Sequence, residues 1–540
     1  MCRIVPNADE FRQSISTGTL HGGFMTAATQ RASASTTTAR ATLREWLGLA
    51  TLALPTFLVA IDMTVLHLAV PHLTAALRPS SAQLLWIIDI YGFMIAGCLV
   101  VMGSLGDRIG RRRLLLAGGV FFGAASGFAA FADSAATLIA ARAFLGISAA
   151  ALMPSTLALL IDMFRDNRQR GIAIAVWSCM FMAGTTIGPI IGGALLEYFW
   201  WGSVFLLNVP LMLVLLAVGP LVLPESARTG GGRLDLASAA LFLSAVLTAV
   251  YGIKHIASET LDLKALLALC AGLGFGIVFL RRQTRLADPM LDLSLFRNTR
   301  FTAGLATQFL TIFAVATPYF LSTQYLQLVA GLSPLEAGLA MLPPMLAGIA
   351  GALLAPVATR ILHPGSVTGL LMLVAAAGFA LLTLAPAEGT LRAVLGGLAL
   401  ITIGSSATMA LIVNIIVSAA PEERAGEASG LSEMSGEFGM ALGLAVIGSL
   451  ASATYRNSVA AALPGTNDLD PATGAMESLG NAVTAAEQLD ATAANALITA
   501  SREAFVTSLS LSAIVGLTLV LGLAVLAFRV LRRVPQQDDG

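Results

Sequence analysis

Five ionisable residues of this chain stand inside long apolar runs: Asp62, Asp89, Arg142, Glu433 and Glu437. An ionised side chain near the centre of a bilayer costs several kcal/mol, so each needs a partner, a water-filled cavity or a function. Glu433 and Glu437 are four residues apart and share one face of a helix. Acids lining a wet cavity between helices can attract a cation, or take up a proton where a low dielectric disfavours the carboxylate. A protein that exchanges the two needs both abilities. The simpler readings are that Asp62 and Asp89 pair with neighbours or sit at helix ends, and that Glu433 and Glu437 lie near the cytosolic surface.

Aromatic residues supply a second chemistry. The run Thr317-Pro318-Tyr319-Phe-Leu-Ser-Thr-Gln324-Tyr325-Leu-Gln327 is polar and aromatic for a membrane segment. A desolvated ring face attracts a cation by about 2 kcal/mol, which makes Tyr319 and Tyr325, with Trp86, candidates for a substrate cavity. Anchoring at the membrane surface is the alternative for the two tyrosines. Just beyond, Ser333-Pro334-Leu-Glu336 has the form of a capping box, so Glu336 is expected to start a helix. His67 and His72 flank the end of the first apolar run and are read as packing or interfacial residues.

The elements that must position these groups follow from composition. Apolar residues make up 56% of the chain and charged ones 11%, against about 25% charged in a soluble domain. Fourteen runs of about 20 residues can each cross a hydrocarbon core, from 47–72 and 83–104 to 430–452 and 505–530. With both termini cytosolic, about 24 Lys and Arg fall on the cytosolic side and about 6 outside, with Arg142 the only base counted within a span. Residues 1–45 read as a disordered cytosolic tail without the pattern of a signal peptide, with Met25 as an alternative start. Residues 46–224 form a first bundle, 225–299 carry two further helices and a linker, 300–530 form a second bundle, and 531–540 are a cytosolic tail. The stretch 453–504 is the long extracytoplasmic loop of the second bundle, its Ala-rich composition compatible with helix.

Two glycine motifs carry the most specific signal. Gly103-Ser-Leu-Gly106-Asp107-Arg108-Ile-Gly110-Arg111-Arg112-Arg113 suits a tight cytosolic turn whose arginines fix orientation. Gly184-Thr-Thr-Ile-Gly188-Pro189-Ile-Ile-Gly192-Gly193 places small residues one turn apart, so that backbones approach closely, with proline bending the axis. The first run resembles the signature loop of the major facilitator superfamily. Arg142-Ala-Phe-Leu-Gly146 resembles that superfamily's fourth-helix motif for proton coupling, and the Gly184 to Gly193 run its antiporter motif. Ala60-Ile-Asp62-Met-Thr-Val-Leu, Trp86-Ile-Ile-Asp89-Ile-Tyr91 and Trp200-Trp201-Gly-Ser-Val-Phe-Leu-Leu-Asn208-Val-Pro210 are similar to the fourteen-helix drug:proton antiporters that expel quaternary ammonium compounds, dyes and biguanides.

The resemblance, from about residue 45 to 530, implies an all-α polytopic membrane protein: two six-helix bundles, spans 1–6 and 9–14, with two inserted helices between them. It further implies proton and cation roles for Asp62, Asp89, Arg142, Glu433 and Glu437, a hairpin over the outer mouth from 453–504, a monomer, and a place in the bacterial inner membrane. Two positions depart from the pattern. Ser432 stands where some relatives carry a second Glu, and the counterpart of the Asp-Arg loop near Arg360 to Gly365 has lost its acid.

No nucleotide-binding Gly-Lys-Ser/Thr loop, catalytic triad or metal constellation has useful spacing, so the expectation is a non-enzyme with no cofactor and no metal, driven by a proton gradient. No basic block suggests nucleic acid. The expected partners are small lipophilic cations and the lipid bilayer. The rivals are export of an unidentified metabolite, for which more cavity Arg or Lys would be expected, and a receptor-like membrane protein that transports nothing.

Overall fold

A computed structural model describes residues 41–529 except 226–234, 259–261, 287, 288, 290, 292, 387–390, 422–424 and 463–475. Of the tails read above as 1–45 and 531–540, residues 1–40 and 531–540 lie outside the described residues, as do Met25 and residue 530, while 43–45 are not tail but the first turn of a helix that Thr42 caps. Fourteen helices among the described residues are long and apolar enough to cross a membrane. Their main helices are α1 (Leu43–Leu77), α2 (Ser81–Ile109), α3 (Arg111–Ala130), α4 (Ala135–Met163), α5 (Asn167–Tyr198), α6 (Asn208–Val222, within the span Ser203–Val222), α7 (Leu236–Ser258), α8 (Leu263–Gln283), α9 (Thr299–Gln324), α10 (Leu342–Ala358, within a span that starts at Pro334), α11 (Pro364–Leu382), α12 (Leu391–Ser418), α13 (Ala425–Ala462) and α14 (Ala491–Arg529). Short helices Ser203–Leu206 and Pro334–Ala340 lead into α6 and α10, and a π-helical turn, Tyr325–Val329, ends α9.

Polar residues between the apolar runs set where helices begin, because the first backbone N–H groups of a helix need acceptors that lipid cannot supply. Thr42 with Glu45, Ser80 with Gln83, and Ser134 with Thr137 close capping boxes on α1, α2 and α4. The expected box at Ser333 and Glu336 is present, Glu336 donating its N–H to Ser333 Oγ at 3.3 Å and accepting from Ser333 N–H at 2.9 Å. Asp235 caps α7 and also accepts from Arg282 of α8 at 2.9 Å. Burial would raise its carboxyl, but hydrogen bonds from Ser238 and Arg282 outweigh it and hold the group below the ordinary carboxylate range.

Helices α1–α6 and α9–α14 form the two six-helix bundles, with α7 and α8 paired between them. Glycine lets the helices of a bundle touch. Gly184, Gly188 and Gly192 recur every fourth residue on the α5 face that lies on α1, and a Cβ at Gly184 would stand 2.6 Å from Phe57 O. Gly439 repeats the device between α13 and α9, where a Cβ would stand 2.8 Å from Phe309 O.

The signature loop is shorter than its motif. Gly103, Gly106 and Arg108 belong to the last turns of α2 and Arg111 begins α3, so Gly110 alone makes the turn, at φ +102°, where a side chain would be strained. Arg112 donates to Pro220 O at 2.8 Å and Leu223 O at 3.2 Å, which satisfies carbonyls at the end of α6. The Asp107 side chain lies outside the described residues.

Much of the stretch 453–504 is helix. α13 runs ten residues past 452 and α14 starts at Ala491 instead of 505, with a further helix, Leu479–Ala486, between them. Alanine is a strong helix former but weakly hydrophobic, so hydropathy ends a span before the helix does. This segment lies on the α1–α2 turn: Ser81 N–H donates to Glu477 Oε2 at 2.9 Å, and Asn481 Nδ2 donates to Pro79 O at 3.2 Å.

Candidate functional site

The acids and bases of the membrane interior converge beneath that turn. Arg142 on α4 is the hub. Gly146, one turn along, brings α4 against α2 so closely that a Cβ there would stand 2.5 Å from Tyr91 O. The guanidinium reaches through to α1, where Nη1 donates to Asp62 Oδ2 at 2.6 Å, while Nε donates to Ile87 O at 3.2 Å. Its Cζ lies 4.4 Å from the Tyr91 ring centroid. Arg142 and Asp62 are 2% and 1% exposed, so the pair is dry. Asn208 of α6 approaches Asp62 Oδ1 at 3.5 Å and donates to Ser126 Oγ at 3.1 Å, a role that quoting it within a motif did not reveal.

Asp89 has a partner that the sequence reading missed. Lys254 of α7 is buried with its Nζ 2.9 Å from Asp89 Oδ2, 3.1 Å from Oδ1, and 4.1 Å from the centroid of the Trp86 ring. Arg142 is therefore not the only base within a span, as Lys254 lies inside α7. The lysine lies near the end of its apolar run, where it reads as a boundary residue, but α7 continues to Ser258. One signal was available: only two of the 31 basic residues are lysine.

One member of each ion pair, Arg142 and Asp89, borders a narrow cavity between the bundles, lined also by Met63, His67, Glu437 and Met440, among others. Gly92 of α2 seats Glu437 there; a Cβ at Gly92 would lie 3.8 Å from its Oε2. Glu433, one turn nearer the chain termini, is exposed. Neither glutamate has a hydrogen-bond or ion-pair partner among the described residues. The site thus gathers four acids and two bases, and both bases are engaged by Asp62 and Asp89. Ser432, in place of a further acid, is structural: its Oγ donates to Gln308 Oε1 at 2.6 Å, tying α13 to α9.

His67 is not interfacial. It lies inside α1, buried, with Nδ1 unpartnered and its ring 5.9 Å from that of Tyr319 and 5.5 Å from that of Phe320. Tyr319 and Trp86 thus border the charged layer. Tyr325 does not join them: its hydroxyl donates to Pro386 O at 2.6 Å.

Beyond the charged layer, at the end away from the chain termini, the bundles touch directly. Pro189 and Gly193 occupy the α5 face that the other three glycines leave free. A Cβ at Gly193 would collide with Pro334 O, and one at Gly338 with Pro189 O. Gln327 Nε2 also donates to Leu68 O across this seam at 2.9 Å.

Helical bundles paired in this way around buried charge define a membrane transporter, and the comparisons agree. The model of the Major Facilitator Superfamily matches residues 52–444, and the chain belongs to that superfamily. It is 40% identical to the multidrug efflux pump LfrA of Mycolicibacterium smegmatis over 92% of this chain and 98% of that protein. It is 37% identical to the methyl viologen resistance protein SmvA of Salmonella typhimurium over 87% of this chain and 94% of that one. Among solved structures, a bacterial homologue of the human lysosomal transporter Spinster, in an inward-facing conformation, superposes with a TM-score of 0.62 at 15% identity, over 92% of this chain and all of that one. That likeness concerns the fold. The motif resemblance to the drug:proton antiporter branch is borne out, and the protein is a multi-pass transporter of the bacterial plasma membrane, not an enzyme.

Proposed function

We propose that this protein exports lipophilic cations in exchange for protons by alternating access between its two ends. The observation that carries this reading is the pair of α13 carboxylates, Glu433 and Glu437, which have no base to neutralise them among the described residues and stand beside two acids that do. A cavity with that surplus favours positive cargo. Two relatives named for efflux of drugs and resistance to methyl viologen support the same direction.

The ion pairs suggest how a proton would drive the exchange. A proton taken up by Asp62 or Asp89 ends the attraction to Arg142 or Lys254 and leaves that base positive, so the cavity repels a cation; losing the proton restores the attraction. In this reading the energy source is the proton gradient with no cofactor, both termini are cytosolic, and one copy suffices. The test is efflux of ethidium and of a divalent biguanide from inverted vesicles, with and without a collapsed pH gradient. Gradient-dependent transport that disappears in Asp62→Asn and Asp89→Asn is expected. Full proton-coupled efflux in Asp62→Asn removes that residue from the mechanism, and transport of neither compound by well-folded protein points to a metabolite instead.

A further inference from the structure

Lys254 reaches the site from outside both six-helix bundles, on a helix that packs against α2 of one and α13 of the other. Two contacts fix that position. Leu243 of α7 fills the space over Gly97 of α2, where a Cβ would stand 2.7 Å from Leu243 Cγ, and Phe242 lies 5.9 Å from Phe438 of α13. At the end of this contact the lysine ammonium lies against a carboxylate and over an indole face. A carboxylate for charge and a ring face for cation–π attraction are what a site for an organic cation requires. From Trp86 the rings run through Phe93 to Phe438, on which Phe242 and Phe309 both pack, at 5.8–6.5 Å, an apolar wall suited to the body of a lipophilic cation.

We propose that the Lys254 ammonium is a tethered competitor: it occupies the cation subsite of Asp89 and Trp86 in the empty transporter, and cargo must displace it. This inference rests on the cation-export reading and adds to it the subsite, its resting occupant and a function for an inserted helix. A competitor that fills the subsite while the cavity is empty prevents an unpaired buried carboxylate and sets a threshold that weakly binding cations fail to cross. A static strut that merely attaches α7 would share the geometry but would not oppose cargo.

The test is binding of tetraphenylphosphonium to the purified full chain in nanodiscs at pH 8, for wild type, Lys254→Met, Lys254→Gln, Asp89→Asn and the Lys254→Met/Asp89→Asn double variant. Monodispersity on size exclusion selects the Lys254 variants that are compared. Removing the competitor is expected to tighten binding by at least about tenfold, as when a subsite free about a tenth of the time becomes free throughout, and the gain is expected to vanish in the double variant. Binding that is unchanged or weaker in monodisperse Lys254 variants overturns the proposal, as does absence of binding throughout. Ethidium efflux is scored separately. Tighter binding by Lys254→Met without gradient-driven efflux in wild type removes the proton-coupled reading and leaves the competitor standing; efflux with no gain in Lys254→Met does the reverse.

Discussion

The carboxylate of Asp62 and the guanidinium of Arg142 have given up water for each other, and the value of that exchange depends on both being present. Breaking a buried pair from one side costs about 3–5 kcal/mol because the surviving charge is stranded, whereas removing both sides costs much less. Asp62→Asn is therefore expected to lower the thermal unfolding temperature, and Asp62→Asn/Arg142→Gln to recover much of the loss while remaining inactive in transport. Thermal unfolding followed by intrinsic fluorescence checks this, and a single variant as stable as wild type would show that the pair contributes little as charges. Asp62, Asp89, Arg142 and Glu437 were legible in the sequence because a charge inside an apolar run stands out wherever its partner is. Lys254 was not, since it lies near the end of its apolar run and reads as a boundary residue; only the packing of α7 on α2 brings it to Asp89, 165 residues away. For His67 the packing alternative holds and the interfacial one does not, because α1 continues to Leu77 and a residue that looked terminal is interior.

Among the helices, α5 shows how one sequence motif serves two surfaces. Gly184, Gly188 and Gly192 hold it on α1, and Pro189 with Gly193 hold it against the short helix Pro334–Ala340 of the other bundle. The effects of substitution should separate accordingly. Gly193→Val adds volume only at the seam and is expected to leave folding intact but part the bundles there. With cysteines at Leu68 and Gln327, whose residues are hydrogen-bonded across the same seam, disulfide formation is expected to slow several-fold in Gly193→Val; an unchanged rate would show that the seam does not depend on this contact. Gly110→Ala acts on the backbone instead, and at φ +102° should destabilise by about 1–3 kcal/mol, read as a lower unfolding temperature. Span number and most helix starts were readable because hydropathy and capping residues are local. The extensions of α13 and α14 were not, because alanine-rich helix outside the hydrocarbon leaves no apolar signal.

Across the whole molecule the charged layer sits between an end where the bundles meet and an end where Glu433 is exposed. The helix Leu479–Ala486 lies over the closed end, held to the α1–α2 turn by Glu477 and Asn481. Glu477→Ala/Asn481→Ala is expected to raise hydrogen exchange at 479–486 while leaving α1 and α2 protected; exchange that is unaltered would show that other contacts hold this helix. The paired-bundle plan could be read from motifs, but which end is closed could not, because the same residues serve every stage of a transport cycle. The seam itself is built from glycine, proline and backbone carbonyls around Gly193, Pro334, Pro189 and Gly338. Such a surface offers nothing to titrate and nothing for salt to screen, so pH can influence it only through the layer beneath. The seam and the recognition surface thus draw on different chemistry, and substitutions around Trp86, Phe438 or Lys254 are expected to change what is carried while leaving the contacts of the seam in place.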